Sequence, residues 1–424
     1  MKMKTILPVS GQYEVEEGCT HRCFHCYNGY FPIPRKSNPT NDKVTRAIAN
    51  SEIFHLTLTG GEPLMSKYQL YKSMEILSNN NVDFGLNTNL HLLKEEDVQI
   101  MKNLGVQGIL TSILGDEKTH DYITQTPGAF KRLMGSLELL ANSGINVSSN
   151  MVVEDHNKEQ VYKIGEMLYR RFGMINFCAT PKAPSPDHPD KSHLTKKEYV
   201  KTLDTLLNLE EDFGLNTESL HPVLACMFGS KEEREKYSKF IYTRGCSAGR
   251  GTFTFSIWGD VRACSHESKI YGNILEQSFR EIYSKMTNWQ NQENLPEECS
   301  PCVEKERCAG GCRVIARAIN GKENSKDPYM ENPILEKEPR NEIIFPDFKD
   351  IKIPRGNFRV REEGDEIYTV FRNQRNFLTM DKIGYTIFRR FLAKKNFIEV
   401  KKELPEDFPL ENITKNLFRG GLLE

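Results

Sequence analysis

The placement of eleven cysteines constrains this chain more than any other feature. Cys19, Cys23 and Cys26 open it. Cys178 and Cys226 stand alone. Cys246, Cys264, Cys299, Cys302, Cys308 and Cys312 crowd together, and no cysteine follows them. Thiols grouped this tightly point to metal or redox chemistry in a reducing compartment, because disulfide frameworks belong to short secreted chains. Met1 to Pro8 form no apolar signal region, and no run of about 18 apolar residues marks a membrane span. The expected location is therefore cytoplasmic. With 57 Lys+Arg against 58 Asp+Glu, the net charge of -1 offers no basic excess for a phosphate backbone, so nucleic acid is not an expected partner. A length of 424 residues suggests two or three domains.

Residues 12–225 alternate between strand-like and helical runs. Short β-prone stretches fall at 54–58, 82–87, 108–112, 145–153 and 174–178. Helical spacing falls at 68–77, 92–104, 130–141 and 160–171. Such alternation argues for parallel strands with crossover helices, open or barrel-like. From 226 to 330 the periodicity fades. A hairpin turning at Gly259 is legible, but little apolar core is, so metal is expected to hold this region together. Residues 331–349, with Pro333, Pro339 and Pro346 among many charges, read as a linker. Residues 350–424 give three β-prone pieces, near 358–362, 366–371 and 375–378. Helical stretches at 381–392, 397–403 and 410–419 follow, a small winged-helix-like α+β pattern.

Cys19-x3-Cys23-x2-Cys26 follows the strand-like Tyr13-Glu14-Val15. Thiolates bind iron–sulfur clusters and zinc alike. Two readings stand: a [4Fe–4S] cluster with one iron left open to a small molecule, or a zinc site completed by His21 or His25. Gly60-Gly61-Glu62-Pro63 ends the next strand-like run. Glycines there permit close backbone approach, and a carboxylate can pair with an ammonium.

The cysteine loop and this tetrapeptide together resemble the radical S-adenosylmethionine (radical SAM) enzymes. The resemblance implies an α/β fold, a partial (β/α)6 barrel over 1–225, and a [4Fe–4S] cluster on Cys19, Cys23 and Cys26. It implies SAM bound by Gly60, Gly61, Glu62 and Pro63, with Asn87, Ser112, Ser149 and Asn150 facing the cofactor from later strand ends. It further implies reductive cleavage of SAM to a 5′-deoxyadenosyl radical, hydrogen abstraction from a substrate, and an electron donor such as flavodoxin or ferredoxin. Cys178, read as a strand-end residue at the barrel mouth, is a candidate hydrogen donor; a buried core cysteine is the plainer reading.

Cys246-x12-Gly259-x4-Cys264, followed by Cys299-x2-Cys302-x5-Cys308-x3-Cys312, resembles the SPASM extension of these enzymes; the alternative is a pair of zinc ribbons. The resemblance implies one or two auxiliary iron–sulfur clusters within 226–330. Cys246, Cys264 and Cys312 would hold the one nearer the barrel, and Cys299, Cys302 and Cys308 the distal one. The pattern's seventh cysteine is missing, with Met330 about where it is expected. An upstream cysteine shortly before Cys246 is missing too, and Cys226 is a candidate substitute.

The tail over 350–424 resembles the RiPP recognition element, a domain similar to the pyrroloquinoline-quinone chaperone. This implies that a precursor peptide docks its leader as an added strand, at Asn376, Phe377 and Leu378. The expected activity is peptide maturation by a thioether, ether or C–C cross-link. The alternatives are side-chain oxidation of the sulfatase-maturase type, oxidation of a small molecule such as a tetrapyrrole, and a non-catalytic zinc-ribbon and winged-helix binding protein.

Overall fold

The computed structural model describes residues 7–27, 41–184, 190–336, 345–354, 356–373, 376–394 and 396–424. They form two compact units, one of residues 11–51 and 56–337, the other of 338–424 with the short segments 1–10 and 52–55.

In the larger unit, strands β1 (Ser10–Glu16), β2 (His55–Gly60), β3 (Asp83–Asn87), β4 (Ile109–Ser112), β5 (Val147–Val153), β6 (Asn176–Pro181) and β7 (Asn216–Glu218) lie side by side in chain order. The helices between them are α1 (Asn41–Ala49), α2 (Lys67–Asn79), α3 (Glu95–Leu104), α4 (Glu117–Thr124), α5 (Ala129–Ala141), α6 (Val161–Phe172) and α7 (Lys196–Phe213). From β3 to β7 every neighbouring pair is parallel. This is the expected partial barrel, an α/β fold in which strands alternate with crossover helices.

Alternation along each strand separates a helix-facing layer from an inner face. Tyr13 is fully buried and its hydroxyl donates to Asn41 Oδ1 on α1 at 2.8 Å. Thr217 Oγ1 donates to Glu210 on α7 at 2.6 Å. Phe177 lies against Gly165 of α6. The residues one step along these strands, Glu14, Glu16, Cys178 and Glu218, therefore turn to the opposite, inner face.

Three more strands extend the same sheet beyond β1: β8 (Thr254–Phe255), parallel to β1, then β9 (Asp260–Arg262) and β10 (Ile270–Asn273), both antiparallel to their neighbours. β8 and β9 are the hairpin expected around Gly259. This region is not as poor in apolar core as its sequence suggests. Phe253, Phe255, Phe279, Tyr283 and Trp289 are buried, and the Phe253 and Phe279 rings meet at 4.4 Å. A few large aromatics supply the burial that longer aliphatic runs supply elsewhere.

The smaller unit holds a separate antiparallel sheet, β11 (Arg359–Gly364), β12 (Ile367–Asn373) and β13 (Asn376–Asp381), in that order. Helices Lys382–Lys394, Phe397–Lys401 and Leu410–Arg419 follow. Val370, Phe388, Phe391, Val400, Leu417 and Leu422 make its core. Phe345 and Phe348, read from sequence as linker or its edge, belong to this domain. Phe348 stacks on Phe397 at 4.8 Å, and Phe345 meets Phe418 at 5.6 Å. Residues 337–344 of the expected linker lie outside the described residues. On its other side the sheet packs Phe371 on Phe54 and seats the buried Arg361. That guanidinium donates to the carbonyls of Leu7, Pro8 and Glu52 and pairs with Glu363.

Candidate active site and cluster pockets

The Cys19–Cys26 loop leaves the end of β1, and Glu16 braces it. The buried carboxylate of Glu16 accepts the N–H groups of Gly18 at 2.9 Å and Glu17 at 3.0 Å, and also the hydroxyl of Ser66. Trp258 Nε1 donates to Glu17 at 2.8 Å, and the ring of Tyr27 packs on His266 at 3.9 Å. The loop is thus pinned to the hairpin region on one side and to the barrel on the other. None of these braces was singled out from the sequence, where Glu16 looks like any acidic strand residue.

Burial pushes the Cys19 thiol up to about 12 and raises Cys23 as well, with the neighbouring thiols adding to the effect. Thiols in such surroundings ionise when a bound metal supplies positive charge. His21 meets them through its backbone, its N–H donating to Cys19 Sγ at 3.5 Å. Its ring is turned elsewhere, with Nε2 facing Nδ1 of His91 at 3.2 Å. Among the described residues no three His, Cys, Asp or Glu side chains are placed to hold a single metal ion. Zinc gathers its sulfurs at ~2.3 Å from one point, whereas a four-iron cube takes its thiolates at separate corners. Three free thiols on one short loop are a donor set suited to three corners of such a cube.

Gly60 and Gly61 lie hard against that loop. A Cβ on Gly61 would stand 2.1 Å from the Gly18 carbonyl oxygen, and Gly60 has φ +130°. Gly61 N–H donates to Glu16 O at 2.8 Å and Glu62 N–H to Gly18 O at 2.7 Å. The Glu62 carboxylate is fully buried and already engaged. It accepts from Leu64 N–H at 2.9 Å, Thr88 Oγ1 at 2.6 Å and Asn89 N–H at 2.7 Å. Its visible work is to tie the ends of β2 and β3 together, and Pro63 begins the short turn Pro63–Ser66 behind it. Asn89, next but one to Asn87, donates to Thr20 Oγ1 at 3.0 Å and approaches Cys19 Sγ at 3.8 Å.

Strand register sorts the remaining expected residues. Ser112, Asn150, Cys178 and Glu218 are consecutive partners across β4, β5, β6 and β7, one row on the inner face. Asn87 shares that face through its partner Leu110. Asn150 Oδ1 accepts from Thr180 Oγ1 at 2.8 Å. Ser149 does not join them. It belongs to the row Thr111, Ser149, Phe177 and Thr217, is fully buried on the helix side, and its hydroxyl has no hydrogen-bond partner. Adjacent strand residues face opposite ways, so the pair Ser149-Asn150 is split by the pleat. Cys178 lies three residues before the end of β6, within the inner face and 9% exposed, rather than at the strand's end.

The auxiliary cysteines gather into two groups. Cys246, Cys264 and Cys312 bear on one another electrostatically, and burial drives Cys264 to about 12. Asp327 organises this group: its oxygens accept from Cys312 N–H at 2.8 Å and Tyr329 N–H at 3.0 Å. It packs so closely that a Cβ on Gly311, at φ +79°, would meet it at 2.5 Å. Cys299, Cys302 and Cys308 line a separate small cavity. Both groups are all-sulfur and buried or half-buried, a donor set suited to iron–sulfur clusters.

The Radical SAM superfamily model matches residues 13–168, and the SPASM model, an iron–sulfur cluster-binding domain, matches residues 246–303. The AdoMet-dependent heme synthase of Methanosarcina barkeri is 26% identical over 332 residues, covering 75% of this chain and 94% of its own. The sporulation killing factor maturation protein SkfB of Bacillus subtilis is 26% identical over 293 residues, 66% of each chain. The crystal structure of Streptococcus suis SuiB bound to precursor peptide SuiA has the same fold, with TM-score 0.61 at 15% identity over 76% of this chain and 75% of that one. No helix among the described residues is long and apolar enough to cross a membrane. Cysteine loop, glycine cradle, inner polar face and paired cysteine groups accordingly belong to a radical SAM enzyme of the SPASM type, whose cofactors are S-adenosylmethionine and iron–sulfur clusters.

Proposed function

We propose that this enzyme matures a ribosomally made peptide, held by its leader on the C-terminal domain. The observation that carries this reading is the open edge of β13. Among the described residues β13 pairs only with β12. None of its side chains is fully buried, and Phe377 is 39% exposed. Gly420 and Gly421, after the last helix, pack against Leu378 and Asn376 of this strand. A strand with free backbone groups is the surface to which an extended peptide adds. SkfB, a maturation protein by name, and SuiB, whose structure was solved bound to precursor peptide SuiA, support the same reading.

The roles follow from position. Cys19, Cys23 and Cys26 would hold the cluster. Gly60 and Gly61 would offer backbone to the SAM amino group, with Glu62 and Pro63 fixing that turn. Asn87, Ser112 and Asn150 would line the cofactor from the inner face, where Cys178 also lies. Bound together, cluster and SAM supply a carbon radical able to take hydrogen from an unactivated carbon. The chain's share is to orient the substrate and exclude water. Docking a leader elsewhere on the same chain raises the effective concentration of the peptide core.

A second reading, oxidation of a tetrapyrrole, is favoured by the heme synthase relatives. The M. barkeri enzyme leaves a quarter of this chain unmatched while using nearly all of its own length. Titration of a labelled leader peptide against the full chain separates the readings. Phe377→Asp should weaken binding at least tenfold, and unchanged binding would remove β13 as the docking strand.

A further inference from the structure

Cys226 fits none of the cysteine spacings, yet the fold brings it to the distal cysteine group. It sits on the short turn Ala225–Met227, beyond β7, and lines the same small cavity as Cys299, Cys302 and Cys308. The backbone N–H of Glu331 donates to its sulfur. Val303 N–H donates to Ile334 O at 2.8 Å, so the 331–334 segment lies beside the Cys299–Cys302 turn and closes the cavity. Met330, standing where a seventh SPASM cysteine was expected, lines the cavity too.

We propose that Cys226 is the fourth protein ligand of the distal auxiliary [4Fe–4S] cluster, taking the place of the cysteine absent at Met330. A four-iron cube has four irons to satisfy, and Cys299, Cys302 and Cys308 reach three. Two sulfurs compete for the fourth. A thiolate is charged and binds iron strongly, whereas a thioether is neutral, so Cys226 prevails over Met330. The ligand thereby enters from upstream of the cysteine-rich run rather than from downstream, and the cluster staples the chain leaving β7 to the 299–308 segment. With four thiolates this cluster is closed. The other group has three, and Asp327 beside it is committed to the N–H groups of Cys312 and Tyr329, which leaves the iron without protein sulfur on the barrel-side cluster. The proposal rests on the SPASM assignment and not on the peptide reading.

The test uses the full-length chain reconstituted anaerobically with iron and sulfide. Iodoacetamide labelling with peptide mapping, before and after iron chelation, reads each cysteine. Cys226 should be protected along with Cys299, Cys302 and Cys308, and all four should become reactive together on chelation. The reactivity of Cys178 should not change. Cys226→Ala should lose about one to four irons per chain and show, after mild oxidation, the EPR signature of a three-iron cluster. Met330→Leu should keep the wild-type iron count. Cys226 labelled equally with and without iron would overturn the proposal, as would iron loss confined to Met330→Leu. A wild-type chain holding only about four irons would also overturn it, by removing both auxiliary clusters, and the iron count tells that failure apart.

Discussion

Replacing Gly61 by alanine puts the cofactor cradle to a quantitative test. The added Cβ would lie 2.1 Å from the Gly18 oxygen and 2.6 Å from that of Glu17, both rigid backbone atoms, where contacts under 3.0 Å do not occur. The two segments must separate by at least ~0.9 Å, the difference between 3.0 and 2.1 Å. They are tied by the bonds from Gly61 N–H to Glu16 O and from Glu62 N–H to Gly18 O, each worth about 1 kcal/mol. Relief of the clash therefore costs about 1–3 kcal/mol and displaces the peptide that carries Cys19. A misplacement of about 1 Å at a reacting centre costs roughly a hundredfold in rate. SAM cleavage, followed as 5′-deoxyadenosine by chromatography, should fall by about that factor while the thermal midpoint drops only a few degrees. Gly135→Ala is the control. It lies in α5 with no atom near the added methyl, and should be neutral or stabilising by up to about 1 kcal/mol. Wild-type cleavage by Gly61→Ala would refute the cradle.

Other outcomes follow from the same geometry. Asn150→Ala should weaken SAM binding by calorimetry, whereas Ser149→Ala, on the helix side, should leave it unchanged. Arg361→Met should destabilise the C-terminal unit by about 3–5 kcal/mol, because the buried Glu363 loses its cation and three carbonyls lose a donor; hydrogen exchange over 351–424 reads this, and adding Glu363→Leu should recover much of the loss. Burial lowers the His120 imidazole to about 4 from an ordinary 6.5. The unfolded chain therefore takes a proton that the folded chain refuses. The resulting stability is full above pH 6.5 and is lost as pH falls toward 4, by up to about 3 kcal/mol. Denaturant midpoints across that range should show a shallower acid slope in His120→Gln.

The barrel was legible because its helices and strands carry their own periods; β3 to β5 fall within two residues of their expected ends, and β6 runs three residues past its own. Helix α7 was missed, although Thr195 and Glu198 form a capping box at its start. The opposed directions of Ser149 and Asn150 were also readable, since a strand turns neighbours apart. Other features carry no local signal. Cys226 meets its partners only through the fold. Glu16 and Asp327 act by accepting backbone N–H groups brought from elsewhere. Phe345 and Phe348 sit among charges and prolines that disguise them as linker.

On the proposed reading, the radical chemistry is directed at a peptide. The most direct measurement is mass spectrometry of a precursor peptide encoded beside this gene, incubated anaerobically with the reconstituted full chain, SAM and a reductant. A peptide lighter by two hydrogens (about 2 Da) is expected, with 5′-deoxyadenosine formed in step and the yield falling in Phe377→Asp. An unmodified peptide, together with turnover of an iron porphyrin under the same conditions, would contradict it.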